Sequence, residues 1–118
     1  MPSDDDTRRQ LLDRVARAQP SMHDDLRQLA TFPFDTPAPL IRLTVDTARD
    51  VLARHARGLI TDADLELWAD SLEARDDVAL DPALRDCLFE LSTAELTGKT
   101  VADLADDWRS RLHTPQAT

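Results

Sequence analysis

The chain has 118 residues, of which 42% are apolar, 31% charged and 4% aromatic, with a net charge of −9. That apolar content excludes a disordered chain and fits about one domain around a core of Leu, Val and Ala. An acidic balance disfavours nucleic acid, whose phosphates need Lys and Arg, and no apolar run approaches the roughly 20 residues that span a bilayer.

Cys87 is the only cysteine, so an intrachain disulfide is impossible and a reducing, cytoplasmic setting is expected. The opening "MPSDDDTRR" lacks a basic region followed by an apolar run, so no signal peptide is expected. With two glycines and seven prolines, helices are favoured over hairpins.

In chain order, the first predicted helix covers 7–18, with Asp4, Asp5 and Asp6 at its start and Leu11, Leu12, Val15 and Ala18 on its apolar face. Pro20 stops it. A second helix covers 21–31, opened by Ser21 and Asp24 in a capping-box-like arrangement, with Met22, Leu26, Leu29 and Ala30 as its stripe. The segment "TFPFDTPAPLIRL" (31–43) then forbids regular helix at Pro33, Pro37 and Pro39. Phe32, Phe34, Leu40 and Ile41 would still pack inward, which makes it an ordered connection. It could hold a short strand, but nothing nearby supplies a good pairing partner.

A third helix is predicted over 45–57, with Val45, Ala48, Leu52, His55 and Leu59 at helical spacing and Gly58 as its stop. Thr61 caps a fourth, over 62–74, with Leu65, Trp68, Ala69 and Leu72 on one face. Asp81-Pro82 opens a fifth, over 82–92, whose stripe is Leu84, Cys87, Leu88 and Leu91. Thr100 caps the last, over 101–112, where Val101, Leu104, Ala105, Trp108 and Leu112 line up. The expected fold is therefore all-α: a single-domain bundle of about six short amphipathic helices with one proline-rich ordered connection. Residues 1–3 and 114–118 are expected to be disordered. Gly58–Trp68 and Gly98–Trp108 share the order Gly, Thr cap, acid, Leu, Trp, so both indoles should enter one core.

Three site chemistries are weighed. Asp62, Asp64, Glu66 and Glu73 match the ligand spacing of a calcium loop, but Leu67 stands where such a loop needs glycine. Leu65, Trp68 and Leu72 also demand continuous helix, so the acids are read as a helix start and no metal is expected. The histidines His23, His55 and His113 lack zinc-ligand spacing. Cys87 lies on an apolar face, where a thiol behaves as a small hydrophobe, and no catalytic or cofactor-binding constellation is read.

Charge is more informative when divided. Residues 1–57 hold nine acids and nine bases, whereas 58–118 hold fourteen acids and five bases. Asp70, Glu73, Asp76, Asp77, Asp103, Asp106 and Asp107 are the candidate partner-binding residues, since such a surface would steer a basic protein towards it. The competing reading is a solvated face serving solubility.

The run "PLIRLTVDTARDVLARHARGLITDADLELWADSLEARDDVAL" and the later "LRDCLFELSTAELTGKTVADL" resemble a family of small all-helical bacterial proteins. The resemblance covers 39–112 and rests on Gly58, Thr61, Trp68-Ala69, Arg75-Asp76-Asp77 and Phe89-Glu90-Leu91. More distantly, the helix-glycine-Thr-helix unit and the acidity are similar to helical immunity proteins of the colicin and pyocin kind. That likeness implies an inhibitor that masks a basic site on its partner, and it transfers no binding residue. The leading expectation is a non-enzymatic acidic binding protein of immunity type, without nucleic-acid or membrane partners. The alternatives are a structural or regulatory homodimer, and an enzyme whose site is assembled only by the fold.

Overall fold

Seven helices and one pair of short strands are present among residues 4–32, 36–73 and 75–113, which the computed structural model describes. The architecture is all-α in a single domain, as expected. The expected disorder of 1–3 and 114–118 and the inward packing of Phe34 lie outside the described residues.

Helix α1 (Asp4–Ala16) begins three residues earlier than predicted. Asp4, Asp5 and Asp6 form its first turn, where carboxylates meet the positive end of the helix dipole. It ends before Ala18, which takes a left-handed backbone at φ 49°. The Ala18 amide donates to the Val15 carbonyl and the Gln19 amide to that of Arg14, a Schellman closure. Identical pairs of bonds close the helices ending at Gly58 and Gly98, whose φ values are 78° and 72°. Open space surrounds the Cβ position of both glycines, so their backbone angle is what the turn requires.

Helix α2 (Met22–Leu29) is shorter than predicted. The Ser21 capping box does not form: Ser21 Oγ donates to Asp25 Oδ2 at 2.7 Å, and Asp24 pairs with Arg27 instead. Ala30 is exposed, and Asp25 is the residue this helix buries besides its apolar stripe. Arg14 Nε donates to Asp25 at 3.1 Å, which fastens α2 onto α1.

The proline-rich connection does contain a strand. β1 (Ile41–Leu43) runs parallel to β2 (Val78–Leu80), with Ile41 opposite Val78 and Leu43 opposite Leu80. The partner strand exists, but it arrives only after two intervening helices, as a parallel crossover demands. Those helices are α3 (Val45–Ala56) and α4 (Asp62–Glu73). Leu59, predicted to extend the stripe of α3, lies past the helix end and is 69% exposed.

After β2 come α5 (Pro82–Ser92), a short α6 (Ala94–Thr97) that the periodicity did not disclose, and α7 (Val101–His113). Thr44, Thr61 and Thr100 each accept a backbone N–H at the start of α3, α4 and α7, the latter two as predicted. Asp81 does not cap its own helix α5. Its carboxylate accepts from the Val45 amide at 3.1 Å and from Arg42 Nε at 2.7 Å, so it caps α3 across the strand pair.

α4 packs most extensively on α5, α1 on α2, and α3 on α7. One core joins Leu11, Leu12, Leu52, Leu65, Leu72, Leu84, Leu88 and Leu91 with both tryptophans. Trp68 is wholly buried, and its Nε1 donates to the Ala16 carbonyl at 2.9 Å. Trp108 is also buried, with Arg111 stacked 4.3 Å from its ring centroid. Its Nε1 has no hydrogen-bond partner among the described residues.

Candidate functional site

The calcium reading fails on geometry. Residues 62–73 are one continuous helix, and its first acids turn to separate histidines. His55 Nε2 lies 2.6 Å from Asp62 Oδ1, and His23 Nε2 lies 2.8 Å from Asp64 Oδ1. These pairs tie the start of α4 to α3 and to α2. No group of three metal-ligating side chains converges among the described residues.

A groove of about 500 Å³ opens beside the second pair, lined by Met22, Ile60, Leu59, His23, Asp64 and Arg54 among others. The His23, Asp64 and Arg54 side chains that line it are already engaged. His23 holds Asp64, while Arg54 donates to Asp50 Oδ2 at 3.0 Å and to the Ala18 and Arg17 carbonyls. Cys87 faces the core, where burial, reinforced by the charge of Glu90, pushes its thiol up to about 12. A thiol held protonated in this way is a packing group rather than a nucleophile.

The seven predicted acids separate into three situations. Asp77, expected on the surface, is instead completely buried. It belongs to an ion cluster in which Arg75 Nε donates to Oδ1 at 2.8 Å and Arg8 Nε to Oδ2 at 2.9 Å. Burial alone would raise this carboxyl, but the hydrogen bonds and charges of Arg75 and Arg8 outweigh it and hold it below its ordinary value. Asp77 is therefore a structural anchor and leaves the acidic surface. Asp106 and Asp107 are exposed and pair along their own helix with Arg109 and Arg111. Asp70, Asp76 and Asp103 are exposed and Glu73 half-buried, and none of the four forms an ion pair among the described residues.

The pairing pattern sharpens the charge split. From residue 6 to 64, Asp6, Asp13, Asp24, Asp25, Asp46 and Asp50 each hold an arginine, and Asp62 and Asp64 each hold a histidine. From 66 to 103 only Asp77 and Asp81 are paired among the described residues. Glu66, Asp70 and Glu73 form an i, i+4, i+7 ridge on α4, and Asp86 and Glu90 an i, i+4 ridge on α5, against which α4 packs. Sequence reasoning had omitted Glu66, Asp86, Glu90 and Glu95 from the surface. Their signal was available: each falls off the apolar stripe of its helix in a region poor in bases, and Glu66, Asp86 and Glu90 lack a base three or four residues away.

Phe89 was also missed. It is 54% exposed, and Leu96 on α6 is 85% exposed. Phe89 lies outside the Leu84, Cys87, Leu88, Leu91 stripe, which already placed it on the outward side of α5. No helix among the described residues is long and apolar enough to cross a membrane. Set beside protein families, curated proteins and solved structures, the chain matches none of them.

Proposed function

We propose that this protein works by binding rather than by catalysis, as an immunity-type inhibitor whose α4–α5 side docks on a basic protein. The observation that carries this reading is the contrast in neutralisation: each described aspartate from residue 6 to 50 holds an arginine, whereas Glu66, Asp70, Glu73, Asp76, Asp86, Glu90, Glu95 and Asp103 form no ion pair among the described residues. Unmatched carboxylates project a field over roughly a Debye length, about 8 Å at physiological salt, and accelerate encounter with a cationic surface. The same field repels nucleic acid and anionic membrane. A buried, protonated thiol fits a cytoplasmic setting and offers no nucleophile.

Charge reversal tests the reading. Immobilised wild-type chain should retain basic proteins that elute as salt rises, and the same chain carrying Asp70→Arg and Asp76→Arg should lose them through slower association. Equal retention by both chains contradicts the proposal. Asp77 is unsuitable for this test because its substitution would damage the fold.

A further inference from the structure

Phe89 and Leu96 are two of the three large apolar side chains left open to water among the described residues, with Leu59 as the third. Single exposed leucines are ordinary on protein surfaces, so their setting decides the matter. Leu59 borders the groove whose charges are already paired. Phe89 instead stands beside Asp86 and Glu90 on α5, and Leu96 beside Glu95 on α6, and none of these three acids forms an ion pair among the described residues. The backbone beneath Phe89 is also fixed. Ser92 Oγ donates to the Phe89 carbonyl at 3.0 Å and Thr93 Oγ1 at 2.6 Å, so the end of α5 is held in place before any partner arrives.

An aromatic ring presented on a rigid helix within a charged border has the composition of an interface anchor. From this we propose that Phe89 and Leu96 are the apolar anchors of the acidic docking surface. The occupant is a basic amphipathic segment of another protein, in which aliphatic side chains alternate with Lys or Arg. Charge complementarity selects it: a second copy of this chain would bring unneutralised carboxylates against their own kind, and an anionic lipid surface would be repelled likewise. The inference rests on the docking reading above and adds to it the chemical class of the partner.

Two synthetic peptides of equal net charge provide the probe, one alternating Leu with Lys and one of Lys with Gly, titrated into the whole chain at low salt. The Leu/Lys peptide should bind at least about tenfold more tightly than the Lys/Gly peptide. Phe89→Ser with Leu96→Ser should abolish that advantage and leave Lys/Gly binding unchanged, the unchanged arm also reporting an intact fold. Equal affinity of the two peptides, or an advantage that survives both substitutions, overturns the anchors while the acidic docking surface stands. Failure of both peptides to bind overturns the docking reading itself. Sedimentation of the chain alone as a dimer that Phe89→Ser dissolves would assign the anchors to a second copy and sink the proposal.

Discussion

Arg8 and Asp77, 69 residues apart, meet at 2.9 Å with both side chains out of water. Their contact joins the first turns of the chain to the strand pair, since the Asp77 carbonyl also accepts the Leu40 amide at 2.8 Å at the start of β1. Arg75 bonds the same carboxylate from the adjacent turn. One aspartate thus gathers α1, the proline-rich connection and β2.

Removing that carboxylate leaves two buried guanidinium groups facing each other. Asp77→Ala should therefore cost about 3–5 kcal/mol, whereas Asp76→Ala on the neighbouring exposed position should stay within about 0.5 kcal/mol. Urea unfolding of the two variants beside wild type measures the difference. Similar stabilities would show that the cluster contributes little.

The same cluster sets an acid limit. Asp77 has a lowered pKa in the folded chain, so its contribution is fully present above the ordinary carboxyl range of about 4. It is lost as pH falls through the lower folded value. Asp81 acts in the same direction, its carboxyl held down first by the hydrogen bond from Arg42 and then by that from Val45. Unfolding free energy followed from neutral pH downwards should fall more gently for Asp77→Asn, which has no proton to gain there, than for wild type.

Asp81 offers a test of position. Asp81→Ala should cost about 1 kcal/mol and should speed amide exchange at Val45 in α3. A cap that served α5 would instead expose the first amides of that helix. Hydrogen exchange of the two first turns separates the outcomes.

The two indoles should respond differently to the same substitution. Trp68→Phe strands the buried Ala16 carbonyl and should cost about 1–3 kcal/mol for the missing bond alone. Trp108→Phe removes an Nε1 that has no partner among the described residues, so it should cost less. Thermal unfolding of both variants measures the order, and the reverse order contradicts the assigned bond.

Much of this fold was legible in short-range pattern. The apolar periodicity marked α3, α4, α5 and α7, and Gly58, Thr61 and Thr100 marked the end of α3 and the starts of α4 and α7, because capping is decided within a few residues. What stayed hidden depended on contacts between distant segments. The β1–β2 pairing, the burial of Asp77 and the service of Asp81 to α3 each require a partner more than thirty residues away. A carboxylate next to an exposed one reads identically until an arginine from another element reaches it. The acidic surface was legible as a charge imbalance. Which of its members were already neutralised was not.

The neutralisation contrast is the centre of the account, and NMR mapping of a short oligolysine titrated into the labelled chain tests it most directly. Shifts should concentrate at α4, α5, α6 and the start of α7, around Asp70, Asp76, Asp86, Glu90 and Asp103, and should fade as salt rises. Shifts spread evenly over the chain, or centred on α1 to α3 where each described aspartate from 6 to 50 already holds an arginine, would contradict it.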